Sequence, residues 1–193
     1  MMRDDLAQEI AEHGGTIEIT AENRWLSLRL MKVPELGING YAYVRTIFSD
    51  GNCIAILPFK QEGGVFQVLL RKEVVPPWGL SPSLCSITGA WDDQTETFEQ
   101  TALRELYEEA GFTADYDEII FLGTCRGTKA TDTTFHLYAV NVTGKTPVEA
   151  PGDGTFLEAQ ATTVWCTLEE ATKDTPDPLV CTLVLRLAQK EDC

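Results

Sequence analysis

The run GAWDDQTETFEQTALRELYEEAGF, residues 89–112, decides the reading of this chain. Thr97 with Gln100 three residues on forms a capping-box pattern, and Phe98, Ala102, Leu103, Leu106 and Ala110 recur at helical spacing until Gly111 ends the run. A helix from about Thr97 to Ala110 follows. At ~100° per residue, with Phe98 at 0°, the apolar residues Ala102, Leu106, Ala110 and Leu103 spread from about 40° to about 140°. On that wheel Glu109 lies at about 20°, Glu105 at about 340° and Glu108 at about 280°. Three carboxylates therefore gather at one edge of the apolar stripe, with Glu109 inside it, whereas a solvated charge run sits opposite the core. Like charges partly withdrawn from water repel one another unless a cation joins them. A hard divalent ion suits such oxygens, and magnesium typically shares its positions between carboxylates, water and ligand phosphates. Arg104 stands beside this edge, either to orient a glutamate through a forked ion pair or to make an ordinary i,i+4 pair with Glu108.

Outward from the helix, strands dominate. Leu84 to Thr88 is a short apolar run before Gly89, and Ile119 to Gly123, Thr133 to Val142 and Ala161 to Cys166 read as further strands. Cys53 to Pro58 and Val65 to Leu70 form a pair joined by Gln61, Glu62, Gly63 and Gly64. Leu6 to Glu12 reads as a short helix closed by Gly14 and Gly15, followed by extended segments around Ile17, Ile19, Trp25, Leu28 and Leu30 and by Tyr41 to Phe48. Thr167 with Glu170 opens a capped turn, and Pro176, Asp177 and Pro178 start a last helix through Leu179, Leu183 and Leu187. Many strands among few helices imply an α/β (α+β) fold, a mixed sheet with helices on its faces.

Composition narrows the partners. A formal net charge of -15 excludes a nucleic-acid strand, which draws on clustered Lys and Arg. A bound phosphate would need a metal ion to supply positive charge. The 44% apolar content suits a folded core. Six cysteines make no CxxC pair and have no His at zinc-ligand spacing, so they read as reduced, mostly buried thiols. Charges interrupt residues 1–15, and no segment is a long uninterrupted apolar run, so a cytoplasmic chain with no membrane partner is expected.

Gly89, Ala90, Glu96, Arg104, Glu105, Leu106, Glu108, Glu109, Gly111 and Phe112 together resemble the Nudix box: Gly, five residues, Glu, seven residues, Arg-Glu, an apolar residue, any residue, Glu-Glu, any residue, Gly, an apolar residue. The one departure is Ala90 at the position of the first Gly, with Gly89 just before it. The resemblance implies a Nudix-type α/β/α sandwich that hydrolyses a nucleoside diphosphate linked to another group by attack of water on phosphorus. It implies Glu105, Glu108 and Glu109 as ligands of Mg2+, with Mn2+ the substitute, and the main-chain carbonyl of Gly89 nearby. Glu108, Glu109 and Arg104 are then catalytic, and Glu96 supports them.

Trp25 to Leu30, Gly40 to Thr46, Cys53 to Phe59 and Gln67 to Arg71 are similar to the opening of the ADP-ribose pyrophosphatase and nucleoside diphosphate sugar hydrolase branch. That likeness implies residues 1–47 as an N-terminal helix and small β-subdomain for dimerisation, and residues 48–193 as the hydrolase domain of a homodimer. Arg71 falls where the branch has an arginine near its substrate, a small-molecule nucleoside diphosphate derivative, ADP-ribose foremost. The general base is expected in the loop Glu149 to Glu158, with Glu158 chosen because it precedes a strand and Glu149 and Asp153 its rivals. The Ser-Pro-Gly element usual in the branch is missing, residues 126–132 reading RGTKATD. Trp25, Tyr41, Trp78 and Trp91 are candidates for stacking on a base, with core packing the alternative. A Nudix-fold nucleotide sensor without turnover is the rival function, and it usually lacks one of the box glutamates, all present in this chain.

Overall fold

Along β4 (Asn52–Glu62), Ile54 and Ile56 alternate with Ala55, Leu57 and Phe59, and all five are buried. Period-2 alternation sends the two sets to opposite faces, so the strand is central and covered on both sides. The computed structural model describes residues 3–152, 160–173 and 175–191. Contacts divide the chain into two compact units, Met1–Cys53 with Arg126–Thr134, and Ile54–Cys125 with Phe135–Cys193.

In the second unit the sheet order is β10 (Thr162–Thr167), β5 (Val65–Glu73), β4, β9 (Thr134–Asn141) and β8 (Ile119–Cys125), with β6 (Ser83–Cys85) along β5 and β7 (Ile87–Ala90) along β4. One face carries Ala55, Leu57, Val68, Leu70, Leu137 and Ala139 against α3 (Leu168–Lys173) and α4 (Pro178–Glu191), through Ala171, Leu179, Leu183 and Leu187. The other carries Ile54, Ile56, Leu69, Ile87, Tyr138 and Val140 against α2 (Phe98–Ala110), through Ala102, Leu106 and Ala110. Helices on both faces of a mixed sheet make the expected α/β/α sandwich.

Two local expectations change. The run Leu84 to Thr88 is two strands, because Ser86 turns both its backbone N–H and its hydroxyl to Asp177 Oδ2, at 2.8 and 2.6 Å. The Ser86 N–H is thereby lost to the ladder. The strand expected to stop at Pro58 instead runs on to Glu62, with Pro58 immediately before the β5 pairing that begins at Phe59. A proline lacks the N–H for a ladder bond, and this one stands just outside that ladder.

In the first unit, α1 (Arg3–Glu12) ends at a turn with Gly14 in left-handed backbone, and β1 (Thr16–Glu22), β2 (Leu26–Val33) and β3 (Ile38–Thr46) form an antiparallel three-stranded sheet. Asn23 shapes the first hairpin, its side-chain oxygen accepting from the N–H groups of Trp25 and Leu26 at 2.8 and 2.9 Å. The 126–134 segment lies on β3: Val44 N–H donates to Ala130 O, and Thr46 N–H to Asp132 Oδ1. No helix among the described residues is long and apolar enough to cross a membrane.

Candidate active site

The capping box of α2 is complete, with Gln100 N–H donating to Thr97 Oγ1 and Thr97 N–H to Gln100 Oε1. Fixing the first turn fixes the rotation of the helix, and the apolar stripe then carries carboxylates inward. Glu105 and Glu109 are 8% and 9% exposed, and Glu108 is half-buried.

Arg104 gathers the acidic edge. Its Nη1 lies 2.9 Å from Glu105 Oε1 and 2.8 Å from Glu108 Oε2, and its Nε 3.4 Å from Glu96 Oε2. Glu96 also accepts from Thr101 Oγ1 at 3.0 Å. The i,i+4 pair with Glu108 is present, and in place of a fork on one glutamate Arg104 divides its contacts among Glu96, Glu105 and Glu108. Burial pushes the Glu105 carboxyl up to about 7, against the lowering pull of Arg104.

Gly89, the penultimate residue of β7, faces this edge. A Cβ there would overlap the Glu105 carboxyl group, so only glycine lets Glu105 lie against β7. Ala90, which stands at the box glycine position, has ordinary backbone: among the described non-glycine residues only Asp50 has positive φ. The departure from the box therefore puts no strain on this turn, and the missing side chain matters one residue earlier.

Arg71 comes from β5. Leu69 points to the α2 face, and two residues on Arg71 does the same, only 6% exposed. Its Nη1 meets Oε2 of Glu109 directly, and its Nε lies 3.1 Å from Glu73 Oε2 without the alignment of a hydrogen bond. Arg71 is no surface charge. Breaking a buried pair by removing one partner costs on the order of 3–5 kcal/mol, so each of Arg71 and Glu109 holds the other in place.

Beside this pair opens a cavity of about 480 Å³ lined by Arg71, Glu108, Glu109, Glu149, Gly152 and Thr163, among others. Its wall is stitched to the C-terminal end of α2: Val148 N–H donates to Gly111 O and Gly152 N–H to Glu108 O, both at 2.9 Å. Gly111 is left-handed, and a Cβ on it would overlap the Val148 carbonyl, so this glycine both ends the helix and admits the loop. Glu149 reaches the cavity; Glu158 and Asp153 lie outside the described residues. Among the described residues that line it none is aromatic. Trp91 instead donates to Glu96 O and packs on Phe98, Trp25 packs edge-on against Phe48, and the Tyr41 hydroxyl donates to Lys129 O.

The NUDIX domain family matches residues 51–181. A solved structure described as an ADP compounds hydrolase superposes with a TM-score of 0.68 at 17% identity, covering 92% of each chain. An Ap4A hydrolase from C. elegans, in a binary complex, superposes with a TM-score of 0.55 at 18% identity, covering 73% of this chain and 97% of its own. The chain belongs to the Nudix family. It is an enzyme, a pyrophosphohydrolase.

Enzymes of this family use divalent metal ions, and the residues present suit one. Glu105 and Glu109 are buried carboxylates, Oε2 of Glu109 makes no well-directed hydrogen bond, and the glycine at 89 leaves room for the Glu105 carboxyl. Among the described residues no three such groups converge at ligand distance; Arg104 contacts Glu105 and Glu108, and Arg71 meets Glu109.

Sequence reasoning found the helix and its glutamates because they share one element. It missed Glu73, the bonding of Asp177 to Ser86 and the depth of Arg71, which depend on how strands and loops meet in the fold. The two-residue step from Leu69 is the signal that would have placed Arg71 inward.

Proposed function

We propose that this enzyme hydrolyses the diphosphate bond of a nucleoside diphosphate linked to a sugar or similar group, ADP-ribose foremost, with Mg2+ as its metal and Mn2+ as a substitute. The observation that carries the reading is the 480 Å³ cavity, where Arg71 faces Glu108, Glu109 and Glu149. A diphosphate brings negative charge into an acidic site, which calls for both an arginine and a metal. The fold likeness to proteins described as hydrolases of ADP compounds and of Ap4A agrees with a nucleotide substrate.

In this reading Glu105, Glu108 and Glu109 hold the metal, with the Gly89 carbonyl as a further donor. Bound metal would lower the pKa of the attacking water and neutralise charge developing on the phosphate oxygens. Arg104 and Glu96 fix the carboxylates in position, so that little reorganisation accompanies the reaction. Arg71 offers its guanidinium to a diphosphate oxygen. A carboxylate among residues 149–158 takes the proton from water, Glu158 by the sequence reading, with Asp153 and the cavity-lining Glu149 its rivals. The enzyme acts in the cytoplasm as a homodimer.

The deciding experiment incubates the protein with ADP-ribose, other nucleoside diphosphate sugars, dinucleoside polyphosphates and nucleoside triphosphates, with and without Mg2+. Release of AMP from ADP-ribose only when Mg2+ is present is the expected result. Binding without turnover of any compound would reject the proposal and identify a nucleotide sensor.

A further inference from the structure

Arg71 stands between two carboxylates from different elements. Glu73, two residues along the same strand and half-buried, lies beside its Nε, and Glu109, from α2, meets its Nη1. Glu109 is nearly inaccessible, and an ionised carboxylate withdrawn from water needs a positive partner. Arg104 does not supply it: that guanidinium is taken up by Asp92, Glu96, Glu105 and Glu108. The positive charge at Glu109 is the Arg71 guanidinium, at the wall of the cavity.

We infer that Arg71 is an internal counter-cation which occupies Glu109 in the metal-free enzyme and is exchanged for the divalent ion when that ion binds. The inference rests on the proposed metal site and adds to it a competitor built into the chain. A guanidinium and a divalent ion cannot both take the same carboxylate oxygen at bonding distance. Metal binding therefore displaces Arg71 from Glu109, while Glu73 keeps its Nε and limits how far the side chain travels. The released guanidinium then faces the cavity, where an anionic ligand is its next partner. Metal and anion are coupled through one side chain: the first frees the arginine that the second uses.

A competitor lowers the apparent affinity of the metal by the fraction of molecules in which Glu109 is free. Mn2+ binding without substrate, followed by titration calorimetry and by the loss of the free-ion paramagnetic resonance signal, reads this directly. Arg71→Gln should bind Mn2+ about tenfold more tightly than the parent chain. Glu73→Gln removes the rival claim on Arg71, leaves Glu109 as its main anchor, and should bind Mn2+ several-fold more weakly. Unchanged or weaker binding in a folded Arg71→Gln chain overturns the inference. Should that variant fail to fold, Glu73→Gln decides, with unchanged or tighter Mn2+ binding the overturning result. Equal binding by parent and variants rejects the counter-cation alone, whereas no binding by any of them rejects the metal site on which it depends.

Discussion

Glu109 answers two demands with one carboxylate, since it is buried with Arg71 and lines the cavity where the proposed metal and diphosphate meet. Glu109→Gln keeps the shape and removes the charge. Turnover should fall by more than about 100-fold, while far-ultraviolet circular dichroism is unchanged; a variant as active as the parent would sink the metal-site assignment. His136 makes a different prediction, about pH. It stacks on Phe98 with ring centroids 3.6 Å apart, and burial holds its imidazole below the ordinary value against the raising pull of Glu99. The folded chain thus resists a proton that the unfolded chain accepts near 6.5. Its contribution to stability is present above that value and is lost as pH falls through it toward the lower folded value. Urea midpoints from about pH 8 to about pH 5 should fall more steeply for the parent than for His136→Phe, which keeps a ring on Phe98 without the titration. Parallel profiles would reject the assignment.

Among the elements, the junction of β6, β7 and α4 depends on one side chain. Asp177 is 5% exposed and accepts from Ser86 N–H, Ser86 Oγ and, through Oδ1, Leu179 N–H at 2.9 Å. It caps α4 and at the same time holds the strand that leads to Gly89. Asp177→Ala leaves buried donors without partners and should cost about 3 kcal/mol, seen as a lower denaturant midpoint. Thr97→Ala removes half of an exposed capping box on α2 and should cost only about 1 kcal/mol. A loss at Asp177 no larger than that at Thr97 would show that water replaces its partners. The two sites also differ in legibility. Thr97 and Gln100 are local and readable in the chain, whereas Asp177 and Ser86 are 91 residues apart and meet only in the folded sheet.

For the molecule as a whole, the proposed homodimer has a surface to test. On the three-stranded sheet Leu26 and Leu28 are 45% and 40% exposed, and they share a strand face by their two-residue spacing. Exposed apolar groups on one sheet face are a marker of association. Light scattering after size exclusion should give the mass of two chains, and Leu28→Asp should shift it toward one. A single-chain mass for the parent at micromolar concentration would remove the dimer. Cys85, Cys125, Cys166 and Cys181 are free thiols, and burial raises the Cys85 thiol to about 12 and also lifts that of Cys166, so neither of these two is a reactive thiolate at neutral pH.

By itself the sequence determined the central helix, its cap and its stop, the carboxylate edge, the family and the layered fold, because each is written in residues a few positions apart or in a periodicity of one element. Only the tertiary structure decided which partners those carboxylates have. The Arg71 contact with Glu109, the room that Gly89 leaves for Glu105, and the pinning of the Glu149 loop to the end of α2 join segments distant in the chain. Such contacts depend on strand order and on the depth of burial, and a pattern along one strand or helix carries no information about which other element will lie across from it.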